Sequence, residues 1–175
     1  DIIERSQSAG NVIVYYNANA VDVRLSDELA AQGVIFTSLT EAVNRYPELV
    51  KEYFMKAVRK DENRLTALHA ALWNDGVFLY VPKNVEAQAS FQAIFYNDDP
   101  TIRFVPHVLI VAESNSAVTY AEHRLSAYND PITHNNVVEV FAKAGARVRF
   151  ASVHELNEPV TDLSYRRAVV DQDAR

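Results

Sequence analysis

The chain has 175 residues, with 17 Lys+Arg against 23 Asp+Glu, a formal charge of −6 and a pI near 5.3. That is enough for one large domain or two small ones, and it lacks the basic excess that a phosphate backbone demands, so nucleic-acid binding is not expected. The absence of cysteine excludes disulfides, zinc ribbons, CxxC redox pairs, a thiol nucleophile and thiolate ligation of any metal cluster by this chain, and apolar runs such as Val12 to Tyr16 and Val108 to Ala112 fall far short of the ~20 residues that cross a bilayer.

Val12 to Tyr16 and Val21 to Leu25 are β-prone runs separated by Asn17-Ala18-Asn19-Ala20, which predicts a hairpin with Asn available for positive φ. Ser26 caps a short predicted helix to Ala31, Gly33 stops it, and Val34 to Thr37 returns to strand. From Ser38, Leu39, Val43, Tyr46, Leu49, Val50, Tyr53 and Phe54 recur at helical spacing. Pro47 would remove an interior hydrogen bond, so two helices are predicted, with Pro47 near the second N-terminus. Leu65 to Trp73 predicts a further short helix. After Gly76 the character changes to short β-rich runs: Val77–Val81, Phe91–Tyr96, Val108–Ala112, Ala117–Ala121, Val137–Phe141, Arg147–Val153 and Leu163–Val170. The chain therefore divides into a mixed α/β segment, 1–75, and an all-β segment, 76–175. It opens at Asp1 without a signal-peptide pattern and closes just after a strand-like run, so both ends read as cuts.

The β half repeats. A shift of 30 residues aligns Val108 with Val138, Ile110 with Val140, Val111 with Phe141, Ala112 with Ala142, Val118 with Val148, Tyr120 with Phe150 and Ala121 with Ala151. Asn115 falls on Gly145, the two residue types that best accept a left-handed corner. Two short strands per unit without a helix suit a β-solenoid. Val111, Phe141, Tyr120 and Phe150 are expected to point into one core as stacked rungs.

Motifs for chemistry fare poorly. Four glycines leave no P-loop, GxGxxG or GxSxG. His69, His107, His123, His134 and His154 contain no HxH, HExxH or HxxxH pair. Adjacent coils would have to bring His123, His134 and His154 together with Glu122 or Glu139 to hold a metal. Asp61-Glu62 and Asp98-Asp99 read as solvated loops rather than a glycosidase pair. Arg166 and Arg167 are neighbours in a strand, so if that strand lies in a coil one faces inward and requires a carboxylate, the alternative being an edge position.

Gly76 to Val85 (GVFLYVPKNV) resembles the GxFxYVPxxV motif of the SufB/SufD family of iron–sulfur cluster assembly scaffolds. Val108 to Tyr120 (VLIVAESNSAVTY), His134 to Phe150 (HNNVVEVFAKAGARVRF) and Tyr165-Arg166-Arg167-Ala168 resemble further family segments in order, and Leu25 to Phe54 is similar to the SufD N-terminal region. The resemblance covers roughly residues 12 to 175 and implies an α+β N-terminal segment followed by the first coils of a right-handed parallel β-helix, cut short here. Arg124 and Val170 stand where SufB-like members carry cysteine, which favours the SufD-like branch.

Family members are implied to be much longer, with further coils and a C-terminal helical region that docks the SufC ATPase. The implied role is a non-catalytic, cytoplasmic scaffold that assembles with a SufB-like paralogue and a SufC-like ATPase, the complex handling clusters and ATP through its partners. No catalytic, cofactor-binding or metal residue, and no cofactor, is assigned to this chain alone. If these 175 residues are the whole polypeptide, self-association through the cut end is a further expectation; in a longer chain the further coils would suppress it. The alternative is a β-solenoid enzyme acting on polysaccharide, or a binding module, but neither carboxylates nor exposed aromatics recur at the coil period.

Overall fold

The computed structural model describes residues 10–127 and 129–175, so the first nine positions of the expected N-terminal segment lie outside the description. β1 (Asn11–Tyr16) and β2 (Asn19–Arg24) form the predicted hairpin, turning at Asn17 with φ 54°. α1 (Asp27–Ala31) begins where the Ser26 hydroxyl accepts the Leu29 N–H and ends before Gly33, whose φ of 84° takes the chain out of the helix. β3 (Ile35–Ser38) runs into α2 (Leu39–Arg45), and Pro47 opens α3 (Pro47–Tyr53), so the proline separates two helices as the sequence predicts. α4 (Arg64–Leu72) starts with a reciprocal cap between Asn63 and Thr66.

The rest is strand: β4 (Asp75–Val81), β5 (Phe91–Asn97), β6 (Pro106–Ala112), β7 (Ala117–Ser126), β8 (Ile132–His134), β9 (Val137–Ala142), β10 (Arg147–Glu155), β11 (Val160–Asp162) and β12 (Tyr165–Val170). One sheet has the order β10-β7-β5-β1-β2, the other β12-β9-β6-β4-β3, and β11 pairs β8 in a third. Apart from the antiparallel pairs β1/β2 and β3/β4, the pairing is parallel, and successive strands alternate between sheets. This is a parallel β-solenoid of about three turns. β1 pairs with β5 and β3 with β4, so both sheets continue across the change of character near residue 75.

The 30-residue register holds between β6 and β9 and between β7 and β10, where Val108 faces Val138 and Tyr120 faces Phe150. Earlier coils use other offsets, Val77 pairing with Val108 and Phe91 with Tyr120, because the connecting loops differ in length. The corner is more constant than the spacing. Asn84, Asn115, Gly145 and Asp173 all have φ between 60° and 70°, and the amides of Asn84, Asn115 and Gly145 each donate to a carbonyl of the following coil.

Two large apolar layers result, beside a smaller cluster of Val12, Val14 and Ile94. The solenoid interior holds Ile13, Val77, Phe91, Val108, Tyr120 and Val138, with Phe150 partly buried against it. The outer face of the β4–β6–β9 sheet packs Phe78, Leu109, Val111 and Phe141 against Leu39, Val50 and Tyr53 of the helices. The expected single core is thus corrected: Tyr120 and Phe150 stack inside, ring centroids 5.7 Å apart, while Val111 and Phe141 stack outside beneath α2 and α3. All seven residues of β6 are buried, so its alternation carries no sign of which face is which.

Candidate functional site

Along β7 the even positions are buried. Val118 and Tyr120 give way to Glu122, Arg124 and Ser126, so the solenoid interior changes from apolar to polar toward the ends of β7 and β10. Arg124 Nε donates to Glu122 Oε1 at 2.8 Å, and its guanidinium lies 4.4 Å from the centre of the Phe95 ring. Both members of the pair are almost fully buried. Burial opposes the Glu122 charge, but Arg124 and the Ser152 hydroxyl, which donates at 2.9 Å, hold the carboxyl below the usual carboxylate range.

Beyond Ser152 the network continues to His154, whose Nε2 is 2.8 Å from Ser152 Oγ and whose Nδ1 is 3.2 Å from Asp162 Oδ2. This has the outline of a nucleophile, base and acid, yet the donors are committed otherwise. Arg166 Nη2 donates to His154 Nε2 at 2.7 Å, leaving Nδ1–H for Asp162, while the Ser152 hydroxyl donates to Glu122. Burial, followed by the charge of Arg166, pushes the His154 ring below its ordinary value and keeps it neutral. A base already occupied by a guanidinium does not activate a serine. Asn136 Nδ2 donates to Asp162 and to Ser164 Oγ, closing the cluster from the residues just before β9 and β12.

A second buried network lies outside the solenoid. Glu139, in the outward-facing row of β9, is fully buried and accepts the N–H groups of Met55, Ala57 and Val58 at 2.7, 2.7 and 2.8 Å. His107 Nε2 lies 2.9 Å from Glu139 Oε2, His69 Nε2 3.0 Å from His107 Nδ1, and His69 Nδ1 3.0 Å from the Asn135 carbonyl. Burial weighs against charge on both rings, while Glu139 favours it on His107.

Of the three histidines considered as a metal set, the structure brings His134 and His154 to the same carboxylate, Asp162, and sets His123 apart. His123 projects from the other face of β7 to Glu155 at 3.1 Å, and His134 pairs in register with Asp162, which also holds His154. Glu139 belongs to His107 and His69, and Glu122 reaches His154 through Ser152. Among the described residues no group of three His, Cys, Asp or Glu is arranged to hold a metal ion. Arg166 and Arg167 diverge as the strand requires, Arg166 toward Asp162 and Arg167 outward to Glu62 and the Ala57 carbonyl. The acidic pairs lie on loops: Arg59 grips Asp61, Asp98 accepts from Tyr16 and Asn17, and Asp99 accepts from Thr101. Sequence reasoning missed His69 and His107, although a Glu inside the apolar run Val137–Ala142 was the available signal that a buried partner exists.

A groove of about 410 Å³ runs between α4 and the 100–105 and 131–135 segments, with Leu68, Leu72 and Ile102 exposed along it. Among the described residues no helix is long and apolar enough to cross a membrane.

Comparison with known proteins follows this geometry. Residues 9–93 match the SufBD protein N-terminal region, and residues 95–175 match the SufBD core domain of the SUF system for FeS cluster assembly. The chain is 44% identical to the iron–sulfur cluster assembly protein SufD of Bacillus subtilis over 82% of its length, and 27% identical to SufB of the same organism over 98%. It is 31% identical to an iron–sulfur cluster assembly SufBD family protein of Pyrococcus horikoshii over 98% of its length. It spans 33 to 39% of the length of these relatives. Two consecutive matches to one family, on a parallel β-solenoid, place the chain in the SufB/SufD family, as a SufD-like member.

Proposed function

We propose that the chain is the scaffolding start of a SufD-like subunit in cytoplasmic iron–sulfur cluster assembly, working through a SufB-like paralogue and a SufC-like ATPase rather than through chemistry of its own. The observation that carries this reading is the 44% identity to SufD, supported by a sequence without any cysteine to hold the cluster as cargo. The polar interior supports it too. Glu122, Arg124, Ser152, His154 and Asp162 bond to one another, and such a closed network fixes coil stacking rather than presenting a reactive group. β10 and β12 end the two main sheets with Val153, Val169 and Val170 exposed, and strand pairing along such edges would join further coils or a partner.

The test is co-purification of the chain, in its full-length context, with a SufB-like paralogue and a SufC-like ATPase, followed by cluster assembly on the complex. A stable three-component complex that assembles clusters, with no activity from the chain alone, is the expected result. Failure to bind either partner would overturn the reading. Light scattering on the chain alone tests the competing occupant of the same edges, a second copy.

A further inference from the structure

Three contacts run in line from the Asn135 carbonyl through His69 and His107 to Glu139, at 3.0, 3.0 and 2.9 Å. Each hydrogen bond needs one proton between its heavy atoms. The carbonyl at one end has no proton to give, and a carboxylate at the other has none either. Two neutral imidazoles carry two ring protons between them, and three contacts need three.

We propose that His69, His107 and Glu139 share one proton more than two neutral rings and a carboxylate hold, and that this proton latches the N-terminal helical segment to the solenoid near neutral pH. Both Glu139 oxygens already accept backbone N–H groups, so the extra proton is placed on the rings and the buried group is net neutral. The Phe54 ring lies 4.4 Å from the His107 ring, a placement that favours a cation there. Burial by itself opposes charge on each ring. A neutral pair, however, leaves one contact with two acceptors, or two donors, facing each other in a place without solvent, and leaves a buried carboxylate without a counter-charge.

The surrounding charges do not supply that counter-charge directly. β12 sets Arg167 beside Glu139 in register, but its guanidinium donates to the Ala57 carbonyl and pairs with Glu62. α4 contributes His69, β6 contributes His107, and the segment between α3 and α4 presents the three N–H groups. The latch therefore joins α4, that segment, β6 and β9, and its deprotonation would leave a net negative charge between the helical layer and the coils.

Nitrogen-15 NMR of the histidine rings at pH 7.5 reads the proton count, with signals of the other rings assigned from His123→Gln, His134→Gln and His154→Gln. The expected result is one further ring, in His69 or His107, with both nitrogens protonated. The folding equilibrium constant from urea titration should fall about tenfold per pH unit between about pH 7 and 8.5, because unfolding releases a proton. In Glu139→Gln the amide can donate to His107 Nε2, so two neutral rings fill all three contacts, and both the imidazolium signal and the pH slope should vanish. Two neutral rings in the unsubstituted protein, or a stability independent of pH over that range, would overturn the proposal. The unsubstituted protein decides the matter even if Glu139→Gln fails to fold.

Discussion

Truncating Phe141 and Phe150, which sit on consecutive strands of different sheets, one facing out of the solenoid and one in, should have unequal costs. Phe141 is 7% exposed and packs against Tyr53 with its ring tilted by 59°, ring centroids 5.0 Å apart, in the layer that includes Leu109, Val111 and Phe78. Losing a fully buried Phe side chain removes roughly 1.5–3 kcal/mol of transfer free energy, and the cavity beneath rigid helices adds to it, for about 3–5 kcal/mol in Phe141→Ala. Phe150 stacks on Tyr120 but is only partly buried, beside an opening lined by Val138, Val140 and Val148. Half the transfer value and no enclosed cavity give about 1–2 kcal/mol for Phe150→Ala. Urea titrations with unchanged m-values measure both. If Phe150→Ala proves as costly as Phe141→Ala, the assignment of the two rings to different layers is wrong.

Glu122→Ala, which leaves the Arg124 guanidinium buried and unpaired, should destabilise by about 3–5 kcal/mol in the same assay. Because the folded Glu122 carboxyl is held low, its contribution is present above the ordinary carboxylate value and lost as pH falls through the folded value, so acid titration of stability should lose this component in the variant. Gly145→Ala should cost about 1–2 kcal/mol, since φ is 70° and a Cβ would lie 2.5 Å from Asn115 Oδ1; Asn115→Gly should relieve the contact and recover part of the loss in the double variant. Anaerobic incubation with iron and sulfide should leave the chain without a stable visible charge-transfer band, and stoichiometric iron on the purified chain would refute that expectation.

The fold was legible where a local rule and the repeat agreed. Ser26, Gly33 and Pro47 mark helix ends through capping and a missing N–H, and the structure uses each of them so. The pairs Val108 with Val138 and Tyr120 with Phe150 are real strand partners because parallel coils set residues one turn apart side by side. The same offset could not reach β4 and β5, since each loop adds or drops a residue without disturbing the sheet. Nor could it tell the inner from the outer face: in β6 and β9 both faces are covered, one by the solenoid and one by helices.

The polar networks were legible only in part, for a related reason. Extending the inward rule along β7 from Val118 and Tyr120 leads to Glu122 and Arg124, and two buried opposite charges on one strand face must pair. Nothing comparable announces that His69 in a short helix and His107 at the start of β6 meet, because their approach depends on how α4 lies across the sheet. Glu139 ties these levels together. Its strand position fixes it on the outer face, burial there demands donors, and the chain supplies them from the backbone at 55–58 and from His107. A carboxylate set in an apolar run is thus the point at which the helical segment is fastened to the coils, and the proton it requires makes that fastening sensitive to pH.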